Sequence, residues 1–272
     1  MPAIIIDESN WREHAGENGV LDKENPNSGG EERLFGCRPR VSTPGSLKFA
    51  AAPTFEVYPR NELSSRLKDL KQANSTLRDI SRFAGIESKD QANTNYCHAN
   101  SPALAIEILR AVQGESHVVL SPGSIGGPVT GYRNDGAVIE DDLRQIVEYG
   151  AATVDFVPAN QISKSGWKPG AVENAALHKV THWWDLGYKD DRMFLRCATL
   201  VLQGIPVCVG YNWWSHAVTL TGLVEISSGR FGFEFRNSWG SSYGDDGYGV
   251  LAEGKGTPDS AYAPRQATAS LQ

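Results

Sequence analysis

Cys97, His216 and Asn237 have the side chains that nucleophilic catalysis by a thiol requires. Cys97 lies four residues before Ser101-Pro102, where a helix is predicted to open, so the thiol is expected at or within the first helical turn. Exposed backbone N–H groups and the helix dipole lower the pKa of a thiol in that position. His216 begins a predicted strand and can accept the thiol proton. Asn237, 21 positions later (237 − 216), can orient the imidazole ring.

Gln91 is a candidate for stabilising the oxyanion that such an attack creates. It lies six positions before Cys97 (97 − 91), and on a loop that doubles back its amide can act together with the Cys97 backbone N–H. Each residue alone has an ordinary structural role, because free cysteines are mostly small buried residues and asparagines favour turns. The four residues in this order favour catalysis over those roles.

The residues around Asn237 carry a more specific pattern. Asn237-Ser238-Trp239-Gly240, followed by Gly244-Asp245-Asp246-Gly247-Tyr248, resembles the asparagine loop of papain-like cysteine peptidases. His216-Ala217-Val218 is similar to the strand that carries the histidine of that family, and Lys89-Asp90-Gln91 resembles the approach to its oxyanion glutamine. The order of cysteine, histidine and asparagine is also that of the family. The resemblance covers about residues 89–250.

The resemblance implies a fold as well as a reaction. The expected fold is α+β with two lobes, in which a helical lobe carries the nucleophile, a β-barrel-like lobe carries His216 and Asn237, and a cleft lies between them. The expected reaction is hydrolysis of peptide bonds in a protein or peptide substrate through an acyl-enzyme intermediate. Asp135, Gly136 and Trp239 are the expected substrate-binding residues. The first two lend backbone to an extended chain, and Trp239 also shields the His216–Asn237 bond from water.

The sequence departs from the family pattern at several positions. His98 stands where the family has a tryptophan, and Thr94 stands where it has a cysteine. The loop from Ser124 to Pro128 holds no cysteine that could pair with that position, and loss of the bridge agrees with a reducing compartment. No recognisable pro-segment precedes the expected domain, although residues 1–60 can still cover the cleft.

Two other functions stay open. An acyltransferase on the same scaffold would pass the acyl group to an amine instead of water, and its activity would depend on that amine. A catalytically silent structural or binding protein would keep the fold alone, an idea that His98 favours. In such a protein Cys97 would react no faster than Cys37, Cys197 or Cys208.

The chain divides into a loop-rich N-terminal extension, residues 1–60, and an expected peptidase domain, residues 61–272. Leucines at helical spacing follow residue 61, and apolar residues of helical period recur near residues 139–147. Helices come first and strands come later, which predicts an α+β protein with two segregated lobes. The other predicted helices span 103–112 and 191–202, and the predicted strands span 206–211, 217–220 and 232–235.

Composition narrows the class of protein. The chain has 272 residues and a formal net charge of −6, which argues against nucleic acid or an anionic membrane as the main partner. No apolar run approaches the ~20 residues that span a bilayer, and the N-terminus lacks the basic start of a secretory signal. The four cysteines include no Cys-x-x-Cys pair, so free thiols in a reducing, cytoplasmic compartment are expected, and a viral origin fits as well as a cellular one.

His178 and His182 are a second, weaker candidate for chemistry. Histidines four positions apart can share one face of a helix and bind a metal ion. The segment between them lacks the glutamate of a metalloprotease helix. We therefore expect neither a metal nor another cofactor.

Overall fold

The structure is a computed structural model that describes residues 4–40, 50–51 and 53–268. The helices in these ranges are α1 (Trp11–Ala15), α2 (Leu63–Gln72), α3 (Leu77–Phe83), α4 (Cys97–Val112), α5 (Pro122–Val129), α6 (Ile139–Glu148), α7 (Ala171–Ala176), α8 (Met193–Leu202) and α9 (Glu253–Gly256). The strands are β1 (Ile4–Ile6), β2 (Val20–Leu21), β3 (Arg33–Leu34), β4 (Ala50–Ala51), β5 (Val180–Tyr188), β6 (Val207–Tyr211), β7 (His216–Ser227), β8 (Arg230–Arg236), β9 (Tyr248–Ala252) and β10 (Ser260–Ala267). Two 3₁₀ turns lie at Arg60–Glu62 and Lys164–Gly166.

Eight of the strands form one mixed sheet, in the order β1-β9-β8-β7-β6-β10-β5-β4. Neighbouring strands are antiparallel except towards the two edges, where β1 lies parallel to β9 and β4 lies parallel to β5. β2 and β3 form a separate two-stranded ribbon. Most of the large sheet follows the helices α2 to α7 in the sequence, so the α+β class predicted from the order of elements is confirmed.

Helix α4 joins the helical part of the molecule to the sheet. It packs against α5 and α6 on one side and against β7 and β10 on the other. Of its 16 residues, 14 are buried, so the helix has no polar face of the kind that amphipathic patterns reveal. The residues at its N-terminus are therefore held by tertiary contacts on several sides.

The start of α4 differs from the prediction. The helix begins at Cys97, whereas Ser101-Pro102 was the predicted opening. Ser101 does not cap the helix, because its Oγ donates a hydrogen bond to the Val218 carbonyl at 2.8 Å. Thr219 Oγ1 donates in return to the Ser101 carbonyl at 2.9 Å. These bonds to β7 stabilise the first turns, and Pro102 is accommodated inside the helix although it has no amide proton to donate.

The other predicted elements lie close to the observed ones. The helices at residues 63–72 and 139–148 lie where helical periodicity was predicted, and the helix at 193–202 begins two residues after the predicted start. The strands at 207–211, 216–227 and 230–236 include most of the predicted ones, and the two later ones extend beyond them. Among the described residues, every helix is too short or too polar to cross a membrane.

The proposed helical face of His178 and His182 is wrong. His182 lies in β5, and His178 precedes that strand, so the two imidazoles do not share a helix. Formation of the strand follows from pairing of β5 with β10 on one side and β4 on the other, which overrides the local pattern. No group of three or more potential metal ligands occurs among the described residues.

The N-terminal residues pack onto the same sheet. Ile4–Ile6 pairs in parallel register with Gly249–Leu251. Trp214 Nε1 donates a hydrogen bond to the His14 carbonyl at 2.7 Å, which fixes α1 against the loop between β6 and β7. The division of the chain at residue 60 into an extension and a domain stays a prediction.

A buried ion pair connects α4 to the loop that precedes it. Lys89 Nζ lies 2.6 Å from Glu107 Oε1, and the two side chains are 7% and 2% exposed. Lys89 also donates to the Leu120 carbonyl at 2.9 Å, and the same carboxylate oxygen accepts the Leu120 amide at 2.6 Å. The two charges therefore fix the position of the chain that leads into Gln91 relative to the helix that begins with Cys97.

We expect Lys89→Met to destabilise the protein by about 3 kcal/mol, because it leaves the Glu107 carboxylate buried without its cation. Urea unfolding monitored by tryptophan fluorescence measures this loss. The double variant Lys89→Met/Glu107→Leu removes both charges, and its stability should lie above that of Lys89→Met. Equal stability of the single variant and the wild type would contradict the proposed role of the pair.

Candidate active site

His216 and Asn237 are brought together by neighbouring strands. His216 is the first residue of β7, and Asn237 follows the last residue of β8, which pairs antiparallel with β7. His216 Nε2 lies 2.8 Å from Asn237 Oδ1. The other ring nitrogen, Nδ1, makes no hydrogen bond within the described part of the chain. An imidazole held in this way has one nitrogen oriented by the amide and one nitrogen left for proton transfer.

Cys97 lies at the N-terminus of α4 and adjoins the strand that begins with His216. Its side chain is fully buried. The backbone amides of Ala217, Gly36 and His98 surround the sulfur and favour its thiolate form. The predicted helix N-terminus is therefore the observed environment of the thiol, together with an amide of β7.

Gln91 lies beside these residues on the loop that precedes α4. Its backbone N–H donates to the Ser238 carbonyl at 2.8 Å, and its side-chain Oε1 accepts from Ser238 Oγ at 2.6 Å. The Nε2 group donates to two carbonyl oxygens, those of Leu34 at 2.8 Å and Thr94 at 2.7 Å. The Gln91 side-chain amide, which was predicted to bind an oxyanion, is thus already hydrogen-bonded to carbonyl oxygens of this chain.

Trp239 packs on the catalytic histidine candidate. The two ring centroids are 5.1 Å apart and the planes are inclined by 37°. Trp214 contacts the same imidazole at 4.8 Å, and Phe35 contacts it edge-on at 5.3 Å. Three aromatic rings therefore pack around the imidazole that bonds to Asn237. The shielding and substrate-binding roles of Trp239 stay predictions.

Residues Arg33–Arg40, here called the cleft segment, run across this group of residues. The Gly36 amide donates a hydrogen bond to Cys97 Sγ at 3.3 Å. A Cβ atom added to Gly36 would lie 1.7 Å from the Asn95 carbonyl oxygen, so only glycine allows this approach. The cleft segment therefore covers the thiol directly.

The cleft segment also pairs with backbone on both sides. Ala137 donates to the Gly36 carbonyl at 2.9 Å, and Arg38 donates to the Ala137 carbonyl at 2.9 Å. On the opposite side Cys37 donates to the Ser215 carbonyl at 3.0 Å. These backbone hydrogen bonds are of the kind that pair β-strands, and they hold the cleft segment in place between the helical part and the sheet.

The predicted substrate-binding pair lies beside these backbone hydrogen bonds. A Cβ atom on Gly136 would lie 2.4 Å from the Gly36 carbonyl oxygen, so the two backbones are in close contact. Asp135 forms an ion pair with Arg38 at 2.5 Å. The hydrogen bonds themselves come from Ala137, which the sequence analysis did not single out.

A buried His–Asp pair lies next to the nucleophile. His98 Nδ1 is 2.8 Å from Asp142 Oδ2, and both side chains are 0% exposed. The pair connects the first turn of α4 to α6. Burial raises the pKa of Asp142, and the charge and hydrogen bond of His98 oppose that rise. The histidine that replaces the family's tryptophan is therefore a hydrogen-bonded packing residue behind Cys97.

Asp142 was not identified as a site residue from the sequence. Its spacing carries a signal, because Asp142 lies on the same helical face as Ile139, Leu143 and Ile146, all of which are buried. A carboxylate on an apolar face requires a partner. Ser215 was also not identified as a site residue. Residues 1–60 were expected only to be able to cover the cleft, and the backbone contacts by which the cleft segment does so leave no comparable signature in the sequence.

Burial shifts the titration of the nucleophile and the base in opposite directions. It raises the pKa of the Cys97 thiol to about 11, although the surrounding amides of Ala217, Gly36 and His98 lower it. It lowers the pKa of His216 to about 4, although the hydrogen bond to Asn237 raises it. Both shifts disfavour a thiolate–imidazolium pair in the covered site.

No protein-family model and no curated protein matches this sequence. Solved structures do match. Xylellain, a cysteine protease from Xylella fastidiosa, aligns at a TM-score of 0.62 and 16% identity over 85% of this chain and 96% of its own. The bromelain protease from Ananas comosus, in complex with the E64 inhibitor, aligns at 0.58 and 19% identity over 70% of this chain and 97% of its own. Digestive procathepsin L 3 of the Tenebrio molitor larval midgut aligns at 0.56 and 21% identity over 66% of each chain.

The chain therefore has the papain-like cysteine protease fold, with a helical part and a large, mostly antiparallel sheet. The resemblance predicted from the Asn237 loop is confirmed at the level of the fold. The match spans just under two thirds of the procathepsin chain. The roles of Cys97, His216, Asn237 and Gln91 stay predictions.

We expect the thiol of the full chain to ionise only at high pH. Because burial raises the pKa of Cys97 to about 11, a thiolate should be nearly absent at neutral pH. The ultraviolet thiolate absorbance of the wild type minus that of Cys97→Ala, followed from acid to alkaline pH, measures this ionisation. A thiolate signal already complete near neutral pH would show that the ion pair exists in the covered state.

We expect Gly36→Ala to uncover the thiol. The added methyl group overlaps the Asn95 carbonyl, and overpacking of this kind costs about 1–3 kcal/mol, which favours displacement of the cleft segment. Alkylation of Cys97 by iodoacetamide, mapped by mass spectrometry, should become roughly tenfold faster or more.

Arg38→Ala is the matched control in the same segment. It removes only an ion pair whose side chains are 57% and 43% exposed, and such pairs contribute about 0–1 kcal/mol. Its alkylation rate should stay close to that of the wild type. Equal rates in the wild type and Gly36→Ala would mean that the cleft segment does not limit access to Cys97.

Proposed function

We propose that this protein is a cysteine peptidase that its own cleft segment holds in a latent state. The observation that carries the proposal is the arrangement of His216. One of its ring nitrogens is bound to Asn237 and the other makes no hydrogen bond in the described chain, next to a thiol at a helix N-terminus. The papain-like fold and the side-chain amide of Gln91, which already holds a carbonyl oxygen, support the same reaction.

In the proposed reaction Cys97 Sγ attacks the carbonyl carbon of a peptide bond while its proton passes to His216 Nδ1. The resulting oxyanion accepts hydrogen bonds from Gln91 Nε2 and from the Cys97 backbone N–H. Collapse of the intermediate breaks the C–N bond, and the leaving amine takes the proton from His216. A water molecule then attacks the thioester, its proton passes to His216, and the carboxylic acid is released as the thiol is restored.

Asn237 acts in this scheme by orientation. Its Oδ1 holds the Nε2–H of His216, which keeps Nδ1 directed away from the amide and stabilises the imidazolium that forms during the reaction. Trp239, Trp214 and Phe35 protect that bond from water in the covered state. When the cleft segment leaves, Phe35 leaves with it, and the two tryptophans remain.

The proposed substrate is an extended peptide chain. Ala137 and Ser215 each use a backbone group to hold the cleft segment, and these groups become available to a substrate when the segment is displaced. Gly136 allows the close approach of a second backbone. Asp135 lies at the same rim and pairs with a cation in the covered state.

Hydrolysis of a library of quenched-fluorescence peptides by the Gly36→Ala protein tests the proposal. Within that background, Cys97→Ser and His216→Ala should remove activity, and Gln91→Ala should lower kcat by about 10²–10³. Cys197→Ala is the matched control, because Cys197 is a buried free thiol in α8. Its activity should equal that of the Gly36→Ala parent.

A fast-labelled Cys97 without hydrolysis of any peptide would overturn the peptidase assignment. Turnover that requires an added amine would point to acyl transfer instead of hydrolysis. Reactivity of Cys97 no greater than that of Cys197 in the uncovered protein would leave a papain-like scaffold that binds without catalysis.

A further inference from the structure

Arg40, three positions after Cys37, lies in a pocket formed by separate elements of the fold. Its guanidinium forms a bidentate salt bridge with Asp185, with Nη1–Oδ1 and Nη2–Oδ2 distances of 2.7 and 2.5 Å. Its Nε lies 3.5 Å from Glu140 Oε2. The Arg40 side chain is 8% exposed, and the side chains of Glu140 and Asp185 are 3% and 15% exposed. The pocket therefore encloses the cationic end of an arginine almost completely.

Aromatic rings form further walls of this pocket. The Arg40 guanidinium carbon lies 4.7 Å from the ring centroid of Tyr188 and 5.5 Å from that of Tyr262. A planar guanidinium suits both features, because it binds a carboxylate through two parallel N–H groups and packs against aromatic faces. A lysine ammonium cannot form this bidentate salt bridge.

The Asp185 carboxylate is oriented without help from Arg40. Its Oδ1 accepts the Gly187 backbone N–H at 2.9 Å, and Asp185 itself is fixed by the pairing of β5 with β10. Glu140 lies in the first turn of α6, where the helix dipole favours a negative charge. The two carboxylates therefore lie on elements, β5 and α6, whose positions do not depend on Arg40 alone.

One wall residue of the pocket, Glu140, also borders the proposed substrate path. Glu140 lines a cavity of about 320 Å³ together with residues of the cleft segment and the backbone that pairs with it, namely Arg38, Pro39, Gly136 and Ala137. A peptide that replaces the cleft segment along Ala137 thus passes beside Glu140. The poorly exposed Asp185 carboxylate favours a cation beside it, because a largely buried charge that loses its counter-ion is strongly destabilising.

We infer that the pocket formed by Glu140, Asp185, Tyr188 and Tyr262 is an arginine-binding subsite of the cleft. Arg40 occupies it in the covered state, and an arginine side chain of a peptide substrate occupies it after the cleft segment has left. The substrate role rests on the proposed peptidase function, whereas the binding of a guanidinium group does not. The subsite selects basic peptides and, through Arg40, also contributes to holding the cleft segment.

Isothermal titration calorimetry on the full-length Arg40→Ala protein tests the subsite with N-acetyl-L-arginine amide as the probe. N-acetyl-L-citrulline amide is the matched control, because it has nearly the same shape and no charge. We expect saturable binding of one arginine probe per chain, at least about tenfold tighter than the citrulline compound. The additional substitution Asp185→Asn should weaken arginine binding by about tenfold or more.

A second measurement needs no variant. In the wild type the arginine probe competes with Arg40, so it should accelerate alkylation of Cys97, and the citrulline compound should not. Equal affinity of Arg40→Ala for the two compounds, arginine affinity unchanged by Asp185→Asn, or alkylation unaffected by the arginine probe would each overturn the subsite. Both measurements proceed without turnover, so guanidinium binding by a protein that hydrolyses no peptide would refute the peptidase function and leave the subsite standing.

Discussion

The burial of Cys97 beside His216 determines the chemistry that the rest of the structure permits. Neither side chain has measurable exposure, and a lone charge is costly in such surroundings. The thiol and the neutral imidazole are therefore the stable forms, with pKa values of about 11 and about 4. Thiol catalysis requires the opposite order, in which the imidazole is the stronger base. Cys97 and His216 must therefore become accessible to water and substrate before the covered state can turn into a catalytically active one.

Two arginines hold the cleft segment at its ends. Arg33 is 2% exposed and donates to Asp90 Oδ1 at 2.7 Å and to the Trp239 carbonyl at 3.2 Å, so it is attached to the loops that carry Gln91 and Asn237. Arg40 is attached at the other end, between α6 and β5. Both guanidinium groups are buried, so a charge left unpaired at either position is strongly unfavourable. Release of the segment is therefore expected to be an all-or-none event that needs a replacement cation or solvation of both ends.

The parts of this site that the sequence made predictable are those with local signatures. The Asn237 loop, the His216 strand and the position of Gln91 before Cys97 each occupy a short stretch, and the structure brings all four residues together. The start of α4 was misplaced because Ser101 bonds to β7, a partner 117 positions away. The covering of the thiol by Gly36 was not predictable for the same reason. Its partners are Cys97 and Ala137, and one glycine in a loop-rich stretch carries no periodicity that would identify them.

The covered state also explains how a chain can lie on its own nucleophile without being cut. Attack requires a carbonyl carbon within about 3–3.5 Å of the sulfur and in line with its lone pair. The cleft segment presents the Gly36 N–H to the sulfur, which accepts a hydrogen bond from it at 3.3 Å. The carbonyl held by Gln91 belongs to Leu34, two residues earlier in the chain. Gln91 Nε2 and Cys97 Sγ are thus bound to different peptide groups of the cleft segment. The segment blocks both, but no single peptide bond lies where Cys97 could attack it while Gln91 stabilised the oxyanion.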